Sequence, residues 1–176
     1  MIFKELKIKG VYLISPEGYK DKRGLFRRHF CSEEFKKNNI EFKVRQSNIS
    51  ENKFLGTLRG FHYQKYPFQE AKTLSCISGK FYDVVVDLRK NSKTYKKWIS
   101  ITISSDNRKM LHVPKGCANS FMTLKHNTII HYYCSQYYKP KYEKGIRYND
   151  PIFDFKWPIK PKIISNKDLN HKNFIG

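Results

Sequence analysis

The chain has 176 residues, with 35 Lys and Arg against 15 Asp and Glu, which gives a formal net charge of +20. This length suits one domain with a sizeable core, and no apolar run approaches the roughly 18 residues that a membrane-spanning helix needs. The basic residues are spread along the chain, with no block of five or six like charges. This even distribution argues against nucleic-acid binding and favours a small anionic ligand.

Short, partly alternating apolar segments separated by Gly, Pro, Asn and Ser predict a chain made mostly of strands. In the first half the predicted strands are 2–8, 11–15, 25–30, 44–50, 57–64 and 72–78, with turns at 16–18 and 21–24. Ser32 and the two glutamates after it predict the N-terminus of a short helix that ends near residues 38–39. In the second half the predicted strands are 80–88, 98–103, 110–113, 120–124 and 128–136. Beyond them, Ser165 or Asn166 is expected to cap a last short helix.

Many short strands at roughly even spacing predict an all-β fold, an antiparallel sandwich or a jelly-roll barrel with short peripheral helices. The chain shows no linker, repeat or low-complexity segment, so residues 1–176 are expected to form a single domain. Its four cysteines have no Cys-x-x-Cys spacing, which indicates neither a zinc knuckle nor a disulfide framework. The N-terminus lacks the apolar core of a signal peptide, and we therefore expect a cytoplasmic protein without a membrane partner.

The segment 56–64, Gly-Thr-Leu-Arg-Gly-Phe-His-Tyr-Gln, carries the most chemical information. His62 is the kind of side chain that takes up a proton near neutral pH, and Arg59 suits a phosphate-bearing ligand. A single histidine in a strand is more often structural than catalytic. This segment alone therefore leaves both interpretations open.

Jelly rolls of the cupin type often hold a metal through a His-x-His pair and a further histidine after a Pro-x-Gly turn. Here the first motif reads His62-Tyr63-Gln64, and the later turn ends in Asn119. One imidazole and an amide do not supply the three or four ligands that a transition metal needs. We therefore expect metal-free chemistry and no cofactor.

Several motifs that occur in one order along the chain together carry a resemblance to a known family. They are Arg23-Gly24, Gln46-Ser47-Asn48, 56–64, Lys72, 82–89, Pro114-Lys115-Gly116, 132–138, 145–150 and Trp157-Pro158. The set resembles the dTDP-4-dehydrorhamnose 3,5-epimerase family, which includes relatives that act on other nucleotide-linked 4-keto sugars. The resemblance covers almost the entire chain and implies a cupin-type jelly-roll barrel.

The resemblance implies an isomerase that inverts C3, C5 or both in a nucleotide-diphosphate-linked 4-keto-6-deoxy sugar through an enolate. His62 matches the family's base, and Asp168 matches the carboxylate that orients it. Tyr132 matches the proton donor, and Lys72 matches the cation beside the developing oxyanion. Such an enzyme supplies sugars for surface or capsular polysaccharides.

The resemblance also implies a set of substrate-binding residues. Those expected to contact the diphosphate and nucleotide are Arg23, Phe26, Gln46, Ser47, Asn48, Arg59, Tyr138, Glu143 and Lys167. Two expected ligand-facing positions, Arg28 and Asn119, depart from the family's usual acidic residue and histidine. Because these changes alter charge near the substrate, they leave open dTDP or GDP, and hexose or heptose. For Asp87 and Arg89 we favour a structural carboxylate–arginine pair at a strand end.

Two alternatives stay open at this point. A 3,4-ketoisomerase on a related barrel would use similar histidines, and a sugar-nucleotide-binding module would not react at all. The family resemblance further implies a homodimer that exchanges N-terminal strands, for which segments 2–8 and 11–15 are suited as edges. Arg23 or Phe26 would then reach the partner's pocket.

Overall fold

The computed structural model describes residues 1–175, and nearly all of its regular structure is antiparallel strand. The strands are β1 (Ile2–Glu5), β2 (Tyr12–Ser15), β3 (Gly18–Asp21), β4 (Gly24–Arg27), β5 (Gln46–Asn52), β6 (Thr57–Gln64), β7 (Lys72–Ser78), β8 (Lys80–Asp87), β9 (Trp98–Ser104), β10 (Met110–Val113), β11 (Cys117–Thr123), β12 (Thr128–Cys134), β13 (Glu143–Gly145) and β14 (Ile163–Ile164). The helices are α1 (Ser32–Lys37) and α2 (Asn166–Leu169), and a single 3-10 turn covers Pro140–Tyr142.

Two six-stranded sheets pack face to face. The first runs β1-β2-β10-β7-β12-β5, and the second runs β13-β6-β11-β8-β9, with β14 added in parallel to β6. Most strands that are neighbours in a sheet are distant in sequence, as in a jelly roll; the exceptions are the consecutive pairs β1–β2 and β8–β9. The predicted all-β, cupin-type jelly-roll fold with small helices is confirmed.

The core lies between the sheets because alternate residues of each strand point inward. The first sheet contributes Leu74 and Ile130, and the second contributes Phe81, Val85 and Phe121, all buried in one cluster. A second cluster covers the outer face of the second sheet, where aromatic rings of the C-terminal segment stack on β6. This layer supports β6 from outside and so stiffens the strand that carries the histidine.

The predicted strands are present, but several boundaries differ. The predicted turn at 16–18 is not complete, because Gly18 already belongs to β3. This strand pairs with β4 in a separate two-stranded hairpin. The N-cap of α1 is Cys31 rather than Ser32, and its side chain makes no capping hydrogen bond. Ser165 caps α2 as predicted and accepts a hydrogen bond from the Asp168 amide. The short strands β13 and β14 carry too few residues for a pattern to show in the sequence.

The structural pair predicted at the end of β8 is present. Asp87 is fully buried and accepts two 2.8 Å hydrogen bonds, from Nε and Nη2 of Arg89. Ser92 and Thr94 donate further hydrogen bonds to the same carboxylate. Burial alone would raise the pKa of Asp87, but these donors outweigh it and lower the pKa to about 2. Among residues 1–175, no helix has the length and apolar character of a membrane span.

Candidate active site

Two adjoining cavities, of about 340 and 280 Å³, open between the sheets and share His62, Lys72 and Tyr132 as lining residues. His62 comes from β6 in the second sheet, whereas Lys72 and Tyr132 come from β7 and β12 in the first. Three of the four predicted catalytic residues therefore surround one space. The fourth, Asp168, lies directly behind His62.

His62 and Asp168 form a hydrogen-bonded pair across 106 positions of sequence, with 2.7 Å between Nε2 and Oδ1. The α2 helix docks against β6, and the Gly60 amide donates to Oδ2 of Asp168 at 3.2 Å. Burial opposes ionisation of Asp168, but the hydrogen bonds from His62 and Gly60 prevail and lower its pKa. An ionised carboxylate thus holds one imidazole nitrogen and leaves Nδ1 as the free ring nitrogen.

Lys72 is held as a cation beside the histidine. Burial would lower the pKa of Lys72, but the carboxylate of Glu70, 3.1 Å from Nζ, outweighs it and raises the pKa. The ammonium also donates to the backbone oxygen of His62 at 3.3 Å. Gln64 donates to the other oxygen of Glu70 and thereby ties the ion pair to β6.

Tyr132 reaches the same cavities from β12. Successive side chains of a strand point to opposite faces, so Tyr133 lies on the other face of β12, beside His29. Burial raises the pKa of Tyr132, which keeps the phenol protonated at neutral pH. Of the two tyrosines, Tyr132 is therefore the one that lines the cavities.

Asn119 also lines the first cavity, on β11 directly opposite His62 in the strand register. Its amide donates to Oδ2 of Asp83 at 3.1 Å. Asp83 is fully buried, its Oδ1 has no hydrogen-bond partner within residues 1–175, and burial raises its pKa to about 8. Asn119 carries no charge, and the raised pKa leaves the Asp83 carboxyl mostly protonated at neutral pH. The cavity wall beside His62 therefore carries little charge at this point.

The remaining pocket residues form the rims of the two cavities. Arg59 lines the first cavity, and its Nε donates to Oδ1 of Asn52 at 2.9 Å. Around the second cavity, Glu143 accepts a 2.6 Å hydrogen bond from the Tyr138 hydroxyl and pairs with Lys167. The other predicted residues on this second rim are Gln46 and Asn48.

Four residues that were predicted to face the ligand do not line either of the two cavities. Arg23 and Phe26 belong to the exposed β3–β4 hairpin, where Arg23 pairs with Asp21. Arg28 is on the surface and pairs with Glu34 of α1. Ser47 faces outward, because it alternates with Gln46 and Asn48, and its hydroxyl contacts His131 Nε2 at 2.8 Å.

The structure adds site residues that were not predicted. Glu70 and Asp83 are the two acids described above, and His171 Nε2 lies 3.7 Å from Asp168 Oδ1. Glu70 stands two positions before Lys72, but an acid near a lysine is too common in sequence to indicate a buried pair. His171 lies in a polar tail that carries no pattern at all.

Donor atoms of His62, Asp168 and His171 lie within 4.8 Å of one another, a spacing compatible with metal ligation. However, the 2.7 Å hydrogen bond already occupies His62 Nε2 and Asp168 Oδ1. These atoms therefore fit a hydrogen-bonded His62–Asp168 pair with His171 nearby better than a ligand set, and the absence of a metal stays a prediction.

Comparisons with known proteins found a matching family model and similar sequences and structures. Residues 5–175 match the family model described as dTDP-4-dehydrorhamnose 3,5-epimerase. The enzyme of that name from Sinorhizobium fredii is 38% identical over 169 residues, covering 96% of this chain and 87% of the relative. The crystal structure of the Elizabethkingia anophelis enzyme of the same name superposes with a TM-score of 0.95 at 33% identity, covering 99% and 96% of the two chains. ChmJ, a 3′-monoepimerase from Streptomyces bikiniensis in complex with dTDP-quinovose, gives a TM-score of 0.88 at 30% identity, covering 96% and 85%.

Proposed function

The chain belongs to the dTDP-4-dehydrorhamnose 3,5-epimerase family and is a carbohydrate epimerase, and we propose that it acts on a dTDP-linked 4-keto-6-deoxyhexose. The proposed reaction inverts C3 and C5, and the product is a sugar nucleotide for polysaccharide synthesis. The observation that carries the proposal is the placement of His62 and Tyr132 on opposite sheets around one cavity.

The proposed mechanism begins with His62. Hydrogens on the carbons beside a C4 carbonyl are weakly acidic, and removing one requires a general base within reach. His62 would accept the proton at Nδ1, because Nε2 is engaged with Asp168. The carboxylate would fix the ring and stabilise the imidazolium that forms, as in the Asp–His pair of serine proteases.

Lys72 would stabilise the enolate oxygen on C4. Its ammonium is largely buried, with 14% of the side chain exposed, so its charge acts with little screening by water. Glu70 holds it charged before the substrate arrives, and the cation needs no reorganisation as negative charge develops.

Tyr132 would return a proton to the opposite face of the sugar ring. A phenol with a raised pKa is protonated at neutral pH and is available as an acid. Inversion needs an acid and a base on different faces, and the two sheets supply one each. A 3,4-ketoisomerase returns its proton without crossing faces and would not need this arrangement.

Inversion at C3 alone is the second candidate. The similarity to a 3′-monoepimerase favours it, because this fold serves single as well as double inversion. The two reactions share the base, the cation and the acid. They differ only in whether the sugar ring can present C5 to His62 as well.

The nucleotide would lie along the rims of the cavities. Arg59 suits the diphosphate, since guanidinium presents paired donors to phosphate oxygens, while Gln46 and Asn48 would add neutral hydrogen bonds. Tyr138 offers an aromatic surface for the base at the second rim, next to Glu143 and Lys167. We place the activity in the cytoplasm, because all four cysteine thiols are free.

We further propose a homodimer in which the β3–β4 hairpin completes the neighbour's site. This hairpin forms its own two-stranded sheet, and Tyr19 and Phe26 are 70% and 78% exposed. An isolated hairpin is marginally stable in water, so a partner that covers these rings is expected. In that arrangement Arg23 and Phe26 would supply the phosphate and base contacts that they do not make within one chain.

The test is proton exchange in heavy water with dTDP- and GDP-linked 4-keto-6-deoxy sugars. We expect deuterium at both C3 and C5 of the dTDP sugar, together with inverted product. Exchange at C3 alone would identify a monoepimerase. A shift of the carbonyl without inversion, or binding without exchange, would contradict the proposal.

A further inference from the structure

His171 is a second imidazole at the carboxylate that holds the proposed base. It follows α2, and its Nε2 lies 3.7 Å from the same Asp168 oxygen that bonds to His62. The two imidazole rings are 6.4 Å apart, at an angle of 78°. His171 Nε2 is buried and has no hydrogen-bond partner within the described part of the chain. Asp168 is thus flanked by two imidazoles that approach one oxygen.

The backbone leaves space for this second ring. His171 packs against Gly145 of β13, the residue that pairs with His62 in the strand register. A methyl group at position 145 would collide with the His171 ring. The absence of a side chain at 145 therefore lets the imidazole reach Asp168.

The surroundings keep His171 neutral at neutral pH. Burial lowers its pKa, and the attraction of Asp168 offsets this only in part. Of the other charged groups that face it, His62 and Lys167 lower the pKa further, whereas Glu143 raises it. A neutral imidazole carries one N–H, and Nε2 is the nitrogen that faces the carboxylate.

We propose that His171 is a positioning residue that acts through Asp168 and limits how strongly this carboxylate holds a proton on His62. The inference rests on the proposed function, because it assigns His62 as the base. A carboxylate bonded to an imidazole favours the protonated ring, and a ring that already carries the proton accepts none from the sugar. With its proton on Nε2, 3.7 Å from this oxygen, the neutral His171 ring turns the positive end of its dipole towards the same negative charge, although the distance is too long for a hydrogen bond. His62 therefore remains deprotonated, and available as a base, down to a lower pH than it would if Asp168 acted on it alone.

The test compares the acidic limb of the pH dependence of kcat/KM, which reports ionisation in the free enzyme. In His171→Leu the charge of Asp168 acts on His62 alone, so we expect the limb to move to higher pH by about half a unit or more. His171→Gln keeps a neutral N–H donor and should restore most of the wild-type position. Loss of activity at every pH without movement of the limb would mean that His171 is only structural.

Gly145→Ala tests the same contact without removing the imidazole. The added methyl group displaces the His171 ring from Asp168, and the acidic limb should move in the same direction as in His171→Leu. In the double variant the two shifts should not add, because both remove one interaction. Additive shifts would contradict the proposal.

An NMR titration separates this inference from the proposed function. The protein has six histidines, so single substitutions can assign the imidazole signals. The midpoint at which the His62 ring takes up its proton should rise in His171→Leu and stay unchanged in the control His126→Gln, which alters an exposed loop. An unchanged midpoint in His171→Leu would overturn the inference. A raised midpoint in a protein that turns over no 4-keto sugar would refute the proposed function alone.

Discussion

His62 and Tyr132 line the same two cavities from different sheets, the first on β6 and the second on β12. A sugar ring between them would have a base on one face and an acid on the other. This relationship separates an epimerase from an enzyme that moves a proton along one face. It also divides the reaction into two steps that can be removed one at a time.

Tyr132→Phe should uncouple exchange from inversion. The variant lacks the hydroxyl that delivers the proton, but His62 and Lys72 still form and hold the enolate, which then regains its proton on the original face. We expect deuterium to enter C3 while inverted product falls by about 100-fold or more. Both rates are measured by NMR in one sample. Equal losses of the two rates would mean that Tyr132 does not act as the acid, and Tyr133→Phe, on the outer face, serves as the matched control.

His62→Asn should abolish exchange at C3 while the protein remains folded. The amide keeps a polar group of similar size but takes no proton, and loss of a general base typically lowers the rate by about 100- to 10,000-fold. Asp168→Asn should be intermediate, since the imidazole remains but loses its anionic partner. Circular dichroism checks the fold of both variants. Exchange near the wild-type rate in His62→Asn would remove this residue from its role.

A mixing experiment tests the proposed exchange of the hairpin. Phe26→Ser should lower kcat/KM by about tenfold or more if this ring covers the base in the neighbour's site. Mixed with the inactive His62→Asn chain, it should regain activity, because each mixed dimer has one site with both residues intact. Full mixing would make about a quarter of all sites complete. A mixture with only the averaged activity, or sedimentation as an active monomer at micromolar concentration, would contradict the dimer.

Acid should destabilise the fold through His112. This buried ring accepts or donates a 2.9 Å hydrogen bond to Thr73 Oγ1 among the rings of Tyr12, Phe35 and Phe42, and burial lowers its pKa to about 4. A histidine whose folded pKa lies below the unfolded value of about 6.5 contributes stability that is present above pH 6.5 and is lost as the pH falls towards 4.

Urea unfolding between pH 7 and 4 measures this contribution. The free energy of unfolding should fall across this window by an amount on the order of a few kcal/mol, and the fall should be smaller in His112→Gln. The exposed His126 gives the control, since His126→Gln should keep the wild-type dependence on pH. Parallel curves for wild type and His112→Gln would exclude His112 as the cause.

Much of the fold, and the side of each strand on which several candidate site residues lie, could be predicted because they depend on local order. Inward and outward residues alternate along β7 and β12, so the sequence shows strands and places Tyr132 and Tyr133 on opposite faces. The spacing of motifs along the chain identified the family. Within it, His62, Lys72 and Arg59 were assigned from their own segments.

Other features depend on contacts between segments that are far apart in the chain, so no local pattern predicts them. The family resemblance implied the pairing of Asp168 with His62, but the approach of His171 requires α2 to dock on β6, and no short-range pattern encodes that distance. Ser47 was expected near the ligand, but the alternation of β5 turns it towards His131. Local patterns and the order of motifs therefore predicted the strands, the family and the available chemistry. Packing decided which of those side chains meet, because a hydrogen bond forms only within about 3 Å and sequence separation does not measure distance in space.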